Sequence, residues 1–159
     1  MFGLTPLGIF HTAISLVAVA TGAIALIREG KISWENSLGK IYVITTVVTC
    51  VTGFGIFQHG GFGKPHVLGV ITLVVLAVIF AAQGGFFKSY SSYVVTVGYS
   101  LTFLFHIIPG LTETASRLPQ GAPLASGPED PNIKMAVGIC FVLFLIVATL
   151  QVRKMRKRV

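Results

Sequence analysis

Four histidines and one glutamate are the residues of this chain whose types could support chemistry in an apolar setting. His106 interrupts the apolar run LTFLFHIIPG, and Glu113 follows that run. His11 lies early in the first apolar run, whereas His59 and His66 flank a glycine-rich loop. Neutral imidazole binds Zn, Cu, Fe and Ni, so convergence of these side chains would create a metal or haem site.

The spacing around His106 predicts a polar face on one helix. At 3.6 residues per turn, His106 shares this face with Tyr99, Thr102 and Glu113. A histidine that binds a metal usually donates its second ring N–H to a nearby acceptor. We therefore expect Thr102, Tyr99 or Glu113 to orient His106.

The composition is that of an integral membrane protein. Of 159 residues, 53% are hydrophobic and only 11% are charged, whereas a soluble domain carries about 25% charged residues. We expect residues 1–159 to form a single transmembrane bundle that contacts the lipid bilayer. The two cysteines lie in separate apolar runs without a CxxC pair, which predicts buried thiols rather than a disulfide framework.

Five apolar runs define the predicted fold class, an all-α integral membrane bundle with five transmembrane helices. Backbone groups must be satisfied within lipid, so such runs form helices. Each is close to the ~20 residues that cross a bilayer. The fourth helix is expected to break at Pro109, which leaves a long outer loop at 111–132. The predicted spans are residues 7–27, 41–57, 66–83, 93–109 and 133–151.

The cationic residues predict the orientation of the bundle. Nine of the twelve Lys and Arg residues fall on one side of the predicted spans, and that side is cytoplasmic by the positive-inside rule. The N-terminus is then outside and the C-terminus inside. Trp34 and Tyr42 are expected as aromatic anchors at the inner interface. Because the basic C-terminus directly follows an apolar helix, it predicts contact with anionic lipid rather than with nucleic acid.

This topology places all four histidines toward the outer side. Two helices carry polar faces that are expected to point inward, since small and polar residues mark helix contacts in membranes. The two faces are His11, Ser15, Ala18 and Gly22 on helix 1, and Thr45, Thr49, Thr52 and His59 on helix 2. Helix 5, in contrast, is almost free of polar residues before Thr149 and is predicted to be peripheral.

The segments HTAISLVAVATGAIALI and SLGKIYVITTVVTCVTGFGIF resemble a family of bacterial integral membrane proteins known as domain of unknown function 2306. The resemblance covers roughly the first 85 residues. It implies a small helical bundle in a bacterial inner membrane, and it implies no activity. The matching positions are His11, Leu38, Gly39, Lys40, Tyr42 and Gly53.

A redox centre is the first functional hypothesis. Haem b needs two histidines on facing helices at similar depth, which His11 and His106 are expected to satisfy, and the small residues beside them would admit the macrocycle. A copper or zinc centre is the alternative cofactor, and it would add His59, His66 and Glu113 to the ligand set. Either centre would serve electron transfer.

Two further hypotheses stay open. In a zinc-dependent membrane hydrolase, three histidines would hold the metal and Glu113 would be the general base. In a non-catalytic role, the chain would be an accessory subunit of a larger membrane complex, or a homo-oligomer. The sequence does not decide whether the protein is an enzyme. For each histidine, the ordinary alternative is a solvated side chain or a helix–helix hydrogen bond.

Overall fold

The protein is an all-α bundle, as the sequence predicts. The computed structural model describes residues 5–57 and 61–157, and no strand occurs in these ranges. A short 3₁₀ turn at Lys88–Tyr90 precedes the fourth helix. The helices are α1 (Pro6–Glu29), α2 (Ser37–Gly53), α3 (Lys64–Gln83), α4 (Ser91–Arg117) and α5 (Pro131–Arg156).

Successive helices run in opposite directions. His11 near the start of α1 contacts Thr52 near the end of α2, whereas Gln151 near the end of α5 bonds to Gly30 at the end of α1. We call the end at which α1, α3 and α5 begin the histidine end. The opposite end, at which these three helices finish, is the basic end.

Polar side chains fix where three of the helices begin. The Thr5 hydroxyl accepts the Gly8 N–H at 3.1 Å, and the Asn36 amide oxygen accepts the Gly39 N–H at 2.8 Å. The Asp130 carboxylate accepts the Asn132 N–H at 2.9 Å. Each bond satisfies a backbone donor that lacks a partner within its own helix.

Four of the helices are long and apolar enough to cross a membrane: α1, α3, α4 with its preceding 3₁₀ turn, and α5. This fits a multi-pass membrane protein. Helix α2 is also apolar but has 17 residues, which corresponds to about 26 Å at 1.5 Å per residue. That length is slightly below the ~30 Å of a typical hydrocarbon core.

The predicted break at Pro109 is wrong. Helix α4 continues through Pro109 and Gly110 to Arg117, so the connection to α5 is residues 118–130 rather than 111–132. Proline removes one backbone hydrogen bond, but membrane helices tolerate it where other groups compensate. Here Pro109 and Gly110 are both exposed, so neither the proline ring nor the absence of a side chain on the glycine disturbs a contact with another helix.

Helix α5 is peripheral, as predicted, and packs mainly on α4. One buried side chain nevertheless attaches its end to the bundle. Gln151 accepts a hydrogen bond from the Ser100 hydroxyl at 3.0 Å and donates one to the Gly30 carbonyl at 2.9 Å. This single amide therefore links α5 to both α4 and α1.

Gly39 lies where the chain turns from α1 into α2. A Cβ on Gly39 would lie 1.8 Å from the Ser33 carbonyl oxygen. We expect Gly39→Ala to lower the free energy of unfolding by about 1–3 kcal/mol, because overpacking forces the backbone to shift. Unfolding in detergent by sodium dodecyl sulfate titration measures the change.

Gly138→Ala on α5 is the matched control, because a Cβ there meets no atom within 4 Å. We expect its stability to equal or slightly exceed that of the parent protein. Equal effects of the two substitutions would contradict the close approach at Gly39.

Candidate functional site

A buried polar cluster joins α2 to α4 in the interior of the bundle. It consists of Tyr42, Thr46, Thr102 and His106, none of which exceeds 8% exposure. The Tyr42 and Thr102 hydroxyls are 2.8 Å apart, and the Thr46 hydroxyl is 3.0 Å from His106 Nε2. The Tyr42 and His106 rings meet edge to face at 6.0 Å. The cluster therefore holds a histidine at a defined position in an otherwise apolar layer.

The hydrogen bonds of Thr46 determine which nitrogen of His106 carries the proton. The Thr46 hydroxyl donates to the Tyr42 carbonyl at 2.7 Å, so its oxygen must accept from His106 Nε2–H. In the neutral ring, Nδ1 then has a lone pair. No described residue donates a hydrogen bond to that nitrogen.

His11 is held in the same way at the contact between α1 and α2. Its Nδ1 lies 3.0 Å from the Thr52 hydroxyl, which itself donates to the Val48 carbonyl at 2.8 Å. His11 therefore donates to Thr52, and the Thr49 carbonyl is a second acceptor for the ring. Ser15, one turn further along α1, lies 3.4 Å from the Thr49 hydroxyl. This confirms that the predicted small and polar face of α1 packs on α2.

The structure brings His11 and His106 within electrostatic range of each other. They are not at the same depth, because their threonine partners on α2 are six residues apart, about 9 Å along the axis. Among the described residues, no three His, Cys, Asp or Glu side chains form a group that could hold a metal. His59 lies outside the described residues.

His66 is separate from the other two histidines and caps the start of α3. Its Nδ1 accepts the Gly63 N–H at 3.1 Å, so the proton of the neutral ring is on Nε2, where metal ligation would need a lone pair. The ring is stacked between Phe57 and Phe62, with centroids 5.1 and 4.9 Å away. Nε2 is buried without a hydrogen-bond partner. His66 therefore serves as a cap and an aromatic contact in this arrangement.

Glu113 is on the same helix as His106 but lies outside the buried cluster. Its side chain is 57% exposed and accepts a hydrogen bond from Arg117 Nε at 2.6 Å. His11 lies within electrostatic range of the Glu113 carboxylate. The glutamate therefore influences the histidine end by its charge rather than by a bond to either histidine.

Aromatic rings of the chain occupy the space beside the small residues of α1. A Cβ on Gly22 would lie 2.7 Å from the Phe103 ring and 2.9 Å from the Tyr42 ring. At Gly53, the nearest atom is Cε1 of His11 at 3.2 Å. The packing beside the histidines is therefore close, and these glycines accommodate the protein's own rings.

The sequence pattern predicts both interior histidines but not their partners. Thr46 and Thr52 orient the imidazoles, in place of the expected Thr102, Tyr99 or Glu113. Thr45, predicted to point inward, bonds only to backbone carbonyls and is half-buried.

The position of Tyr42 also differs from its prediction. The sequence predicted an interfacial anchor, whereas the residue is fully buried. The spacing of Tyr42, Thr46 and Thr49 along one helical face could have revealed this inward face.

No family model, curated protein or solved structure matches this chain. The function must therefore be inferred from the contacts within this chain, and the resemblance to domain of unknown function 2306 stays a prediction.

Replacing Thr46 tests its role as the acceptor for His106. We expect Thr46→Val to lower the free energy of unfolding by about 1–3 kcal/mol, because a buried N–H loses its only partner. Nitrogen-15 NMR of the labelled imidazole should also show that the preference for the Nε2–H tautomer is weakened.

Thr45→Val is the matched control on the neighbouring position, because Thr45 contacts no other side chain through its hydroxyl. It should preserve both the stability and the tautomer. An unchanged His106 spectrum in Thr46→Val would show that another group orients the ring.

Proposed function

We propose that this protein is a five-span membrane protein whose interior histidines, His11 and His106, each offer one ligand to a redox-active metal site and serve electron transfer. One observation carries the proposal. Each imidazole donates one N–H to a threonine whose own proton is already used, and no described residue donates a hydrogen bond to the second nitrogen of His106. This is the arrangement that outer-shell hydrogen bonds produce in metal-binding histidines.

The packing favours a metal ion over haem b as the cofactor. A macrocycle needs an open slot beside its ligands, whereas the Tyr42 ring meets His106 edge to face and His11 lies close to Gly53. Imidazole pairs suit copper, which would supply one-electron chemistry at this position. The roles of the chain are to exclude water, fix the tautomers and present two lone pairs.

The antiparallel arrangement of the helices supports five spans with the histidine end outside. Among the described residues, Lys64, Arg117 and Lys134 are the cations of the histidine end, and all others are at the basic end. The positive-inside rule then places the basic end in the cytoplasm. A bacterial inner membrane is the location that the resemblance implies.

Cysteine labelling tests this topology. In a background with Cys50→Ala and Cys140→Ala, we expect Gly61→Cys and Ser126→Cys to react with an impermeant maleimide in intact cells. Glu35→Cys should react only after the membrane is opened, because α2 separates position 35 from position 61. Labelling of positions 35 and 61 from the same side would show that α2 does not span the membrane.

Metal analysis and an optical spectrum of the detergent-purified protein test the cofactor. We expect stoichiometric copper or another transition metal, and loss of the metal in both His11→Ala and His106→Ala, since each removes one ligand. A Soret band lost in both variants would instead establish haem.

Cys140→Ala is the control for adventitious binding by a thiol, because Cys140 lies on peripheral α5. It should retain the metal. Metal-free protein from cells supplied with metal and haem would overturn the proposal of a cofactor site.

An accessory subunit is the second candidate. The absence of a three-ligand group among the described residues favours a structural interior, and the buried threonines are satisfied within the chain. A metal-free protein that co-purifies with a stoichiometric membrane partner would support this role. The hydrolase hypothesis has the least support, because Glu113 is exposed and ion-paired.

A further inference from the structure

The charges of this chain are distributed unequally between its two ends. At the histidine end, three cations are balanced by three carboxylates, those of Glu113, Glu129 and Asp130. At the basic end, eight described cations are accompanied by only two carboxylates, those of Glu29 and Glu35. The excess positive charge of the protein therefore lies at one surface.

Ion pairing increases this difference. Lys64 and Lys134 both pair with Glu129, and Arg117 pairs with Glu113. Lys64, followed by Lys134, lowers the pKa of Glu129 to about 2, so this carboxylate is ionised at neutral pH. All ion pairs between described residues are at this end. The cations of the basic end are left without a carboxylate partner in the described chain.

An apolar groove leads along α5 to one of these cations. It is a shallow, open depression of about 310 Å³ on the surface of α5 itself, lined by Val142, Leu145, Ile146, Thr149, Leu150 and Arg153. These residues recur every three or four positions and so share one helical face. The four aliphatic side chains are 47–58% exposed.

Only one polar side chain of the groove, that of Arg153, is available to a ligand. The Thr149 hydroxyl donates to the Leu145 carbonyl at 2.7 Å, so it is already satisfied within the helix. Arg153 is exposed and lies about 16 Å along the axis from Val142, at 1.5 Å per residue. The groove therefore offers apolar contact along its length and a guanidinium at its end.

We propose that this face of α5 is a binding site for one anionic phospholipid. An acyl chain lies along Val142 to Leu150, and the phosphate accepts hydrogen bonds from Arg153. Lys157, the C-cap residue of α5 four positions after Arg153, adds positive charge nearby. Charge complementarity selects the ligand, because no carboxylate of the described residues pairs with these cations and anionic lipids concentrate beside such residues. The proposal is independent of any metal at the interior histidines.

Lipid retention tests the site directly. The full-length protein is assembled in nanodiscs of phosphatidylcholine and phosphatidylglycerol, released, and analysed by native mass spectrometry. We expect one phosphatidylglycerol to be retained preferentially. Arg153→Gln should reduce that preference about fivefold, the effect expected for one cation at the membrane surface.

Lys134→Gln is the control for the charge change, because Lys134 is exposed and lies at the opposite end. Ile146→Ala should shorten retention, whereas Val147→Ala, directed away from the groove, should not. Equal retention of the two lipids by the parent protein would overturn the proposal. Equal losses of phosphatidylglycerol preference in Arg153→Gln and Lys134→Gln would also overturn it, as would unchanged lipid retention in Ile146→Ala. Either result would show that the lipid does not bind at this groove.

Discussion

The hydrogen bond between the buried hydroxyls of Tyr42 and Thr102 is the contact on which the interior depends. The Thr102 hydroxyl already donates to the Tyr99 carbonyl, so Tyr42 must donate to Thr102. Hydrocarbon offers no water to replace this partner, and a buried donor left unpaired costs about 1–3 kcal/mol. The bond therefore fixes α2 against α4 in both depth and rotation, and this alignment brings Thr46 opposite His106.

The position of Tyr42 in turn requires the small face of α1. The phenol ring occupies the space that a side chain at Gly22 would take, and Phe103 fills the rest. Ala18 is fully buried on the same face. Close approach of α1 then brings His11 to Thr52 on α2. A single arrangement of small residues, aromatic rings and hydroxyls thus positions both interior histidines.

The sequence predicts the helices of this bundle better than it predicts their polar partners. Apolar runs and helical periodicity identify five helices, and the small face of α1 follows from spacing alone. The continuation of α4 through Pro109 was missed, because only the fold shows that this residue is exposed. Thr45 and Thr46 are chemically identical neighbours, so composition does not reveal which one faces His106. The role of Gln151 also required the structure, because its partners are 51 and 121 residues away.

The interior threonines set the orientation of the two interior histidines. A threonine hydroxyl in a helix saturates a backbone carbonyl with its proton and can then only accept. An imidazole opposite it must donate, and the neutral ring is left with one free lone pair. A proton and a metal ion would compete for that same nitrogen. The donated bond satisfies helix packing, and the proposed metal would need the remaining lone pair.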